Sequence, residues 1–350
     1  MTSVERYDLT SEHDISRVIK GGWQLAGGHG SIEREQALGD MLAYVEAGIT
    51  TADCADIYTG VEELLGEFLR RHADEIRSGA LPGVEVHTKY VPDRDALPDL
   101  RREDVEAAVD RSLRRLGLDR VDLVQFHWWD YGVPGYVEAA HYLDQQRRAG
   151  KVKHIGVTNF DVPRLKEIVD SGVPVVSNQV QYSVLDQRPE RNMVAFCDRH
   201  DIDLLCYGTL AGGFLTERYV GTREPERPLE NRSLTKYKLI IDDFGGWDLF
   251  QEVLAALKRI AEKHGASVAT VATRYVLQRP GVAAAIVGAR DARHLDDTLN
   301  LFSFELDRED VGAIETILEE AEGPVGPVYA LEREKGGRHA AIMKYNLNRN

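Results

Sequence analysis

The sequence predicts an α/β fold: one (β/α)8 TIM barrel in a single domain, with its active site at the C-terminal ends of the strands. Three observations predict it. About eight short apolar segments alternate with amphipathic stretches from Val18 onward, and strands alternating with helices imply a parallel sheet. No shift in composition divides the run, and eight such units close most economically into a barrel. An open doubly wound sheet would usually carry a G-x-G-x-x-G turn after an early strand, and none occurs. The Gly27-Gly28-His29-Gly30 run is shorter and differently spaced, and reads as a glycine-rich loop.

The elements follow in order. After a first strand at Val18-Ile19, the stretch 31–47 carries Leu38, Met41, Leu42 and Val45 at helical spacing, with Gly48 where a helix stops. A strand over 49–53 leads to a second helical stripe of Val61, Leu64, Leu65, Phe68 and Leu69. The strand over 84–89 precedes a helix built on Val105, Val109, Leu113 and Leu116; the strand over 121–127 precedes a helix over 137–148. A strand over 154–157 is followed by a helix over 162–169, capped by Asp161 with Pro163 in its first turn. Strand 175–178, helix 189–199 and strand 203–207 come next. A long loop over about 216–246, with Gly, Pro and mixed charges, interrupts the rhythm. Helices 249–263 and 268–277, strand 283–287, helix 292–301 and a last helix near 308–321 complete a barrel domain spanning 1–321. Residues 322–350 form no strand–helix unit, hold five Lys or Arg against three Glu, and read as an extended tail.

Charge and cysteine usage narrow the function. The 350 residues hold 43 Lys and Arg against 58 Asp and Glu, a net charge of −15. A chain this acidic is a poor partner for nucleic acid or an anionic membrane, both of which need clustered positive charge. Three cysteines, Cys54, Cys197 and Cys206, form no paired framework and suit a reducing compartment. The N-terminus lacks a basic segment followed by an apolar one, and no apolar run reaches membrane-spanning length. The expectation is a cytoplasmic protein acting on a small molecule.

In a barrel, the residues at C-terminal strand ends face one pocket. Those positions hold Asp53, Lys89, His127, Thr158, Asn159, Gln179, Tyr207 and the Gly288-Ala289-Arg290 run, with Tyr58 in the loop above Asp53. Singly, each has an ordinary explanation: a solvated lysine, a satisfied core histidine, an amphipathic loop tyrosine. Together an acid, a Tyr, a Lys and a His make a chemical device. A phenol with its usual pKa of about 10 is a poor acid at neutral pH. A nearby ammonium favours the phenolate, a carboxylate holds the ammonium in place, and an imidazole hydrogen-bonds the substrate oxygen. The set is suited to protonating a carbonyl oxygen as hydride arrives, or to the reverse. No H-E-x-x-H or Cys/His ligand cluster points to a metal.

These residues lie in recognisable segments. TADCADIYTGVEELLG at 51–66 resembles the aldo-keto reductase motif in which an Asp and a Tyr five residues later open a catalytic tetrad. HTKY at 87–90 is similar to that family's lysine strand, and LVQFHWWD at 123–130 to its histidine strand. GVTNF at 156–160, SNQVQYS at 177–183, CYGTLAGGFLT at 206–216 and IVGARDARHLDDTLN at 286–300 resemble its cofactor segments in the same order. The resemblance spans about residues 17–302.

The resemblance implies an NADP-dependent oxidoreductase that reduces an aldehyde or ketone, or oxidises an alcohol or sugar, by direct hydride transfer. Tyr58 would be the general acid, with Lys89 and Asp53 behind it and His127 orienting the carbonyl. Thr158, Asn159 and Gln179 would hold the nicotinamide carboxamide, Tyr207 would stack on the ring, and Gly208, Leu210 and Gly212 would line the loop under the pyrophosphate. Gly288, Ala289, Arg290, His294, Asp297 and Thr298 would take the adenosine end. Gly288-Ala289 stand where members favouring NADPH carry Lys-Ser, so Arg290 and Arg293 would take the 2′-phosphate; NADPH is the expected cofactor, with NADH also admissible. Trp23, Ile57, Trp128 and Trp129 would wall the substrate pocket, with Trp247 and the tail as lids. The alternative is a non-catalytic, cofactor-binding regulatory subunit resembling potassium-channel beta subunits.

Overall fold

A computed structural model describes residues 3–27 and 32–348. Eight parallel strands close into a barrel: β3 (Val18–Gly21), β4 (Thr51–Asp53), β5 (Glu85–Tyr90), β6 (Val121–Phe126), β7 (Val152–Thr158), β8 (Val175–Gln181), β9 (Asp203–Tyr207) and β10 (Val282–Gly288). β10 pairs with both β9 and β3, which shuts the ring. Each expected strand is present, displaced at its ends by a few residues at most. Of the glycine run, Gly28 to Gly30 lie outside the described residues, as does Ser31 at the start of the first expected helix. That helix runs Arg34–Glu46, with the Glu33 side chain capping it.

Alternation along each strand sorts the interior. On β6, Leu123 and Gln125 face the barrel axis, with His127 following them, while Val124 and Phe126 face the helices. The lower interior is apolar, built on Ile19, Leu123, Leu205, Ala284 and Ile286. The upper interior is polar.

Three features depart from the expected order. A hairpin that the sequence did not announce, β1 (Arg6–Thr10) with β2 (His13–Ser16), plugs the bottom of the barrel. Its Leu9 and Ile15 join the interior cluster, and Tyr7 donates its hydroxyl hydrogen to Asp203 at 2.7 Å. The stretch 216–246, expected as a loop, holds a 13-residue helix, Arg232–Phe244, capped by Asn231. Its apolar face (Leu234, Ile240, Ile241 and Phe244) is buried on the barrel, so packing decides what the flanking Gly and Pro obscured. The tail 322–350 is not a free extension: its described residues fold back across the top of the barrel.

At the bottom, His13 Nε2 lies 2.9 Å from His87 Nε2, and the His13 ring stacks on His154. One of two neutral imidazoles must donate and the other accept, so protonation breaks the pairing. Burial, then the neighbouring His154 and Lys153, pulls His13 down from 6.5 to about 4. Burial pushes His87 down as well. A histidine kept neutral when folded contributes stability that is fully present above about pH 6.5 and is lost as pH falls towards 4. The unfolding free energy read from denaturant melts should therefore drop between pH 6.5 and 4 by on the order of 1–3 kcal/mol. The drop should shrink in His13→Gln; an equal drop in both proteins would show that the hairpin contact does not carry it.

Candidate active site

The polar upper layer begins with Asp53, the last residue of β4. In the sheet register it pairs with His87, which brings Lys89 alongside it two residues further on. Lys89 Nζ donates to Asp53 Oδ2 at 2.5 Å and to the Cys54 carbonyl at 3.0 Å, with both side chains almost wholly buried. Asp53 Oδ1 accepts from Gln125 Nε2 and Gln179 Nε2, each at 2.8 Å; Gln179 Nε2 also donates to Gln125 Oε1 at 2.8 Å. A buried carboxylate is tolerable only when paired and hydrogen-bonded on this scale. Burial alone would depress the lysine, but Asp53 and Tyr58 outweigh it and hold Lys89 charged.

Tyr58 sits in the turn above β4, fixed by backbone bonds from its own N–H to Ala55 and from Val61 to its carbonyl. Lys89 Nζ lies 5.0 Å from the centre of its ring, and Trp23 packs edge-on against it at 5.1 Å. Its pKa departs from expectation. Burial raises the phenol most, Lys89 lowers it, Asp53 raises it, and the net direction is upward. The lysine lowers the cost of the phenolate, but desolvation by burial is the larger effect.

His127 follows β6. Its Nδ1 lies 3.1 Å from the Thr158 carbonyl, which can only accept, so the hydrogen is on Nδ1. Nε2 is buried with no hydrogen-bond partner among the described residues. Burial, then the charge of Arg333, holds the ring down to about 3. The imidazole is therefore neutral with a lone pair on Nε2, and it accepts from an O–H rather than donating to a carbonyl. This changes the expected role of orienting a carbonyl: the Nε2 lone pair matches an alcohol hydroxyl.

Tyr58, Asp53, Lys89 and His127 line one cavity of about 650 Å³, within the range of small-molecule sites. Every position expected to hold cofactor lines it too. At the strand ends these are Thr158, Asn159, Gln179 and Tyr207; in the next loop Gly208, Leu210 and Gly212; beyond β10, Gly288, Ala289, Arg290, His294, Asp297 and Thr298. Asn159 holds an uncommon positive φ of 62° and accepts the Tyr207 hydroxyl hydrogen at 2.8 Å through Oδ1. A non-glycine residue in that region is a strain kept by its surroundings, the kind that clusters at functional sites. Gly208 and Gly212 also have positive φ, and a Cβ at either would strike Tyr237. That close approach of the Tyr237 ring leaves room only for glycine at these two positions of the loop. Both amide hydrogens of Gln179 are spent inside the barrel, which leaves Oε1 as its polar atom for a ligand. The residues present fit a nicotinamide dinucleotide.

Two expected pocket residues belong elsewhere. Trp128 is fully buried on the helix side, its indole N–H donating to the Asp130 and Val133 carbonyls, while Trp129, expected beside it, does line the cavity. Inward His127 forces its successor outward, which adjacency in sequence concealed. Trp247 is no lid: it packs on Phe214, Tyr219 and Phe250 outside the cavity and donates to the Thr222 carbonyl. Trp23 and Ile57 line the cavity as expected, and so does the tail, through Tyr329, Ile342, Met343, Lys344 and Leu347. Sequence reasoning missed Gln125, Lys236, Tyr237 and Arg333. Gln125 alone had a signal, being a polar residue on the inward register of an apolar strand.

Arg293 differs from its expected state as well. It is paired bidentately with Asp291, Nε to Oδ1 at 3.0 Å and NH2 to Oδ2 at 2.8 Å.

No helix among the described residues is long and apolar enough to cross a membrane. Comparison with known proteins agrees with the fold and extends it. The chain is 28% identical over 327 residues to the aldo-keto reductase YhdN of Bacillus subtilis, covering 90% of this chain and 94% of that one. It is 30% identical over 303 residues to the chloroplastic pyridoxal reductase of Arabidopsis thaliana, covering 83% and 78%. The solved glycerol dehydrogenase AKR11B4 of Gluconobacter oxydans superposes with a TM-score of 0.75 at 25% identity, over 93% of this chain and 98% of that one. The model of the aldo/keto reductase family matches residues 17–319, and the chain belongs to that family of oxidoreductases.

Proposed function

We propose that this protein reduces an aldehyde or ketone to an alcohol with NADPH, and runs the reverse reaction when alcohol and oxidised cofactor are supplied. The observation that carries the reading is the convergence of Tyr58, the buried Lys89–Asp53 pair and neutral His127 on one cavity that continues to Arg290. The bound dinucleotide supplies the hydride. Tyr58 passes its phenolic proton to the substrate oxygen as negative charge gathers there. Its raised pKa keeps that proton in place until then, and Lys89 stabilises the phenolate left behind. Asp53 keeps Lys89 charged, with Gln125 and Gln179 fixing the carboxylate. His127 Nε2 accepts the hydroxyl hydrogen of the alcohol. Tyr207 offers a ring face for the nicotinamide, and Thr158, Asn159 and Gln179 its polar partners. The names of two relatives, a pyridoxal reductase and a glycerol dehydrogenase, fit one chemistry run in opposite directions. Three buried, unpaired cysteines support a cytoplasmic setting.

The test is cofactor oxidation measured with NADPH and with NADH against a panel of aldehydes, ketones and sugars. Turnover on none of them, with cofactor still bound, would favour the regulatory-subunit reading. Cofactor choice has its own test. A 2′-phosphate on Arg293 must compete with Asp291, so Asp291→Asn should tighten NADPH about threefold to tenfold and leave NADH unchanged. Asn retains the oxygen that caps the turn at the Arg293 N–H. Fluorescence titration of both cofactors reads the ratio; no change would remove Arg293 from the phosphate site.

A further inference from the structure

The C-terminal segment lies across the barrel mouth, where Tyr329, Ile342, Met343, Lys344 and Leu347 line the cavity, and Arg333 ties it to the strand ends. Arg333, at the end of the short helix Ala330–Arg333, donates from NH1 to the Asn159 carbonyl at 2.9 Å and from NH2 to the Trp128 carbonyl at 2.8 Å. Those carbonyls follow β7 and β6: one belongs to Asn159 itself, the other to the residue after His127. The guanidinium lies between two rings, 4.1 Å from Tyr131 and 5.0 Å from Tyr329. Tyr329 lines the cavity and meets the His127 ring edge-on at 5.5 Å.

We propose that Arg333 is a positioning residue that clasps the C-terminal segment onto the strand ends carrying His127 and Asn159, and so makes residues 329–347 the apolar wall of a pocket for a flat, apolar carbonyl substrate. The substrate part rests on the function proposed above; the clasp does not. A planar guanidinium can bridge two carbonyls and stack on two rings at once, which neither a lysine nor an apolar side chain can do. Tyr329, Ile342, Met343 and Leu347 add apolar surface to the cavity that Trp23 and Ile57 also line, with Lys344 as the segment's charged lining residue. Such walls suit an aromatic or aliphatic carbonyl, whereas a polyhydroxylated one would set hydroxyls against the apolar side chains of this segment. Beyond the clasp the segment is tied down again. Asn348 Nδ2 donates to the Val91 carbonyl at 2.8 Å, and Tyr345 packs edge-on against Trp129. Glu332, one residue before, pairs with Arg188 and Lys236; Arg333 is the tie made to the strand ends that carry His127 and Asn159.

Two variants test it, Arg333→Met and Arg333→Lys, with amide hydrogen exchange over residues 329–348 and steady-state kinetics on benzaldehyde and glyceraldehyde. In Arg333→Met, exchange should accelerate and the KM for benzaldehyde should rise about tenfold while kcat stays within about threefold. The glyceraldehyde KM should move less, and Arg333→Lys should fall between Met and Arg. Unchanged exchange in Arg333→Met would overturn the clasp. Faster exchange with equal KM changes for both aldehydes would overturn the apolar wall. If the wild-type protein turned over no carbonyl, the proposed function would fail while exchange still judged the clasp.

Discussion

Tyr58→Phe is expected to abolish carbonyl reduction, lowering kcat by about a thousandfold or more, near the upper range for loss of a general acid, while cofactor binding stays within about twofold. The phenyl ring keeps its edge-on contact with Trp23 and its place beside Lys89, so only the transferable proton is removed. Stability should change little, since the hydroxyl is lost where burial already disfavours its charged form. The measurement is steady-state reduction of an aromatic aldehyde beside a fluorescence titration of the cofactor. Near-normal turnover in this variant would remove Tyr58 as proton donor. Lost turnover with intact cofactor binding is the signature of a group acting only in the chemical step.

The second large effect concerns the pair behind Tyr58. Lys89→Met should destabilise the fold by about 3–5 kcal/mol, because it strands a buried carboxylate with only amide partners. Asp53 is 4% exposed, so its carboxylate would be left to its amide partners and to such water as enters from the cavity it lines. Turnover should fall as well, by about a hundredfold to ten-thousandfold, because nothing then offsets the raised pKa of Tyr58. The double variant Asp53→Asn with Lys89→Met should recover much of the lost stability and none of the activity. Denaturant midpoints at constant m-value read the first, initial rates the second. A single Lys89→Met variant as stable as wild type would show that Asp53 is not held as a carboxylate by this lysine.

What was legible in the sequence shows in particular residues. Short apolar runs alternating with amphipathic stretches located all eight barrel strands, because a parallel strand buried on both faces reads as a near-continuous apolar run. The ends of those strands named Asp53, Lys89, His127, Thr158 and Gln179, since a closed parallel barrel directs every such end to one mouth. The hairpin under the barrel was not legible. Its strands are five and four residues long, and their stability comes from plugging a hole that exists only once the ring has closed. The helix Arg232–Phe244 was hidden among loop-like neighbours because its apolar stripe has meaning only against the surface that buries it.

By itself, then, the sequence determined the barrel, the mouth at which the chemistry gathers, and the four side chains proposed to carry it, because these follow from local periodicity and residue chemistry. The tertiary structure decided the rest. It set which way each side chain faces, turning Trp128 out and Trp129 in. It set the charge states, with Tyr58 raised by burial and His127 held neutral with its lone pair free. It brought Arg333, more than 170 residues along the chain, onto the carbonyl of Asn159. Desolvation and long-range contact depend on everything packed around a group, and no local pattern along the chain encodes them.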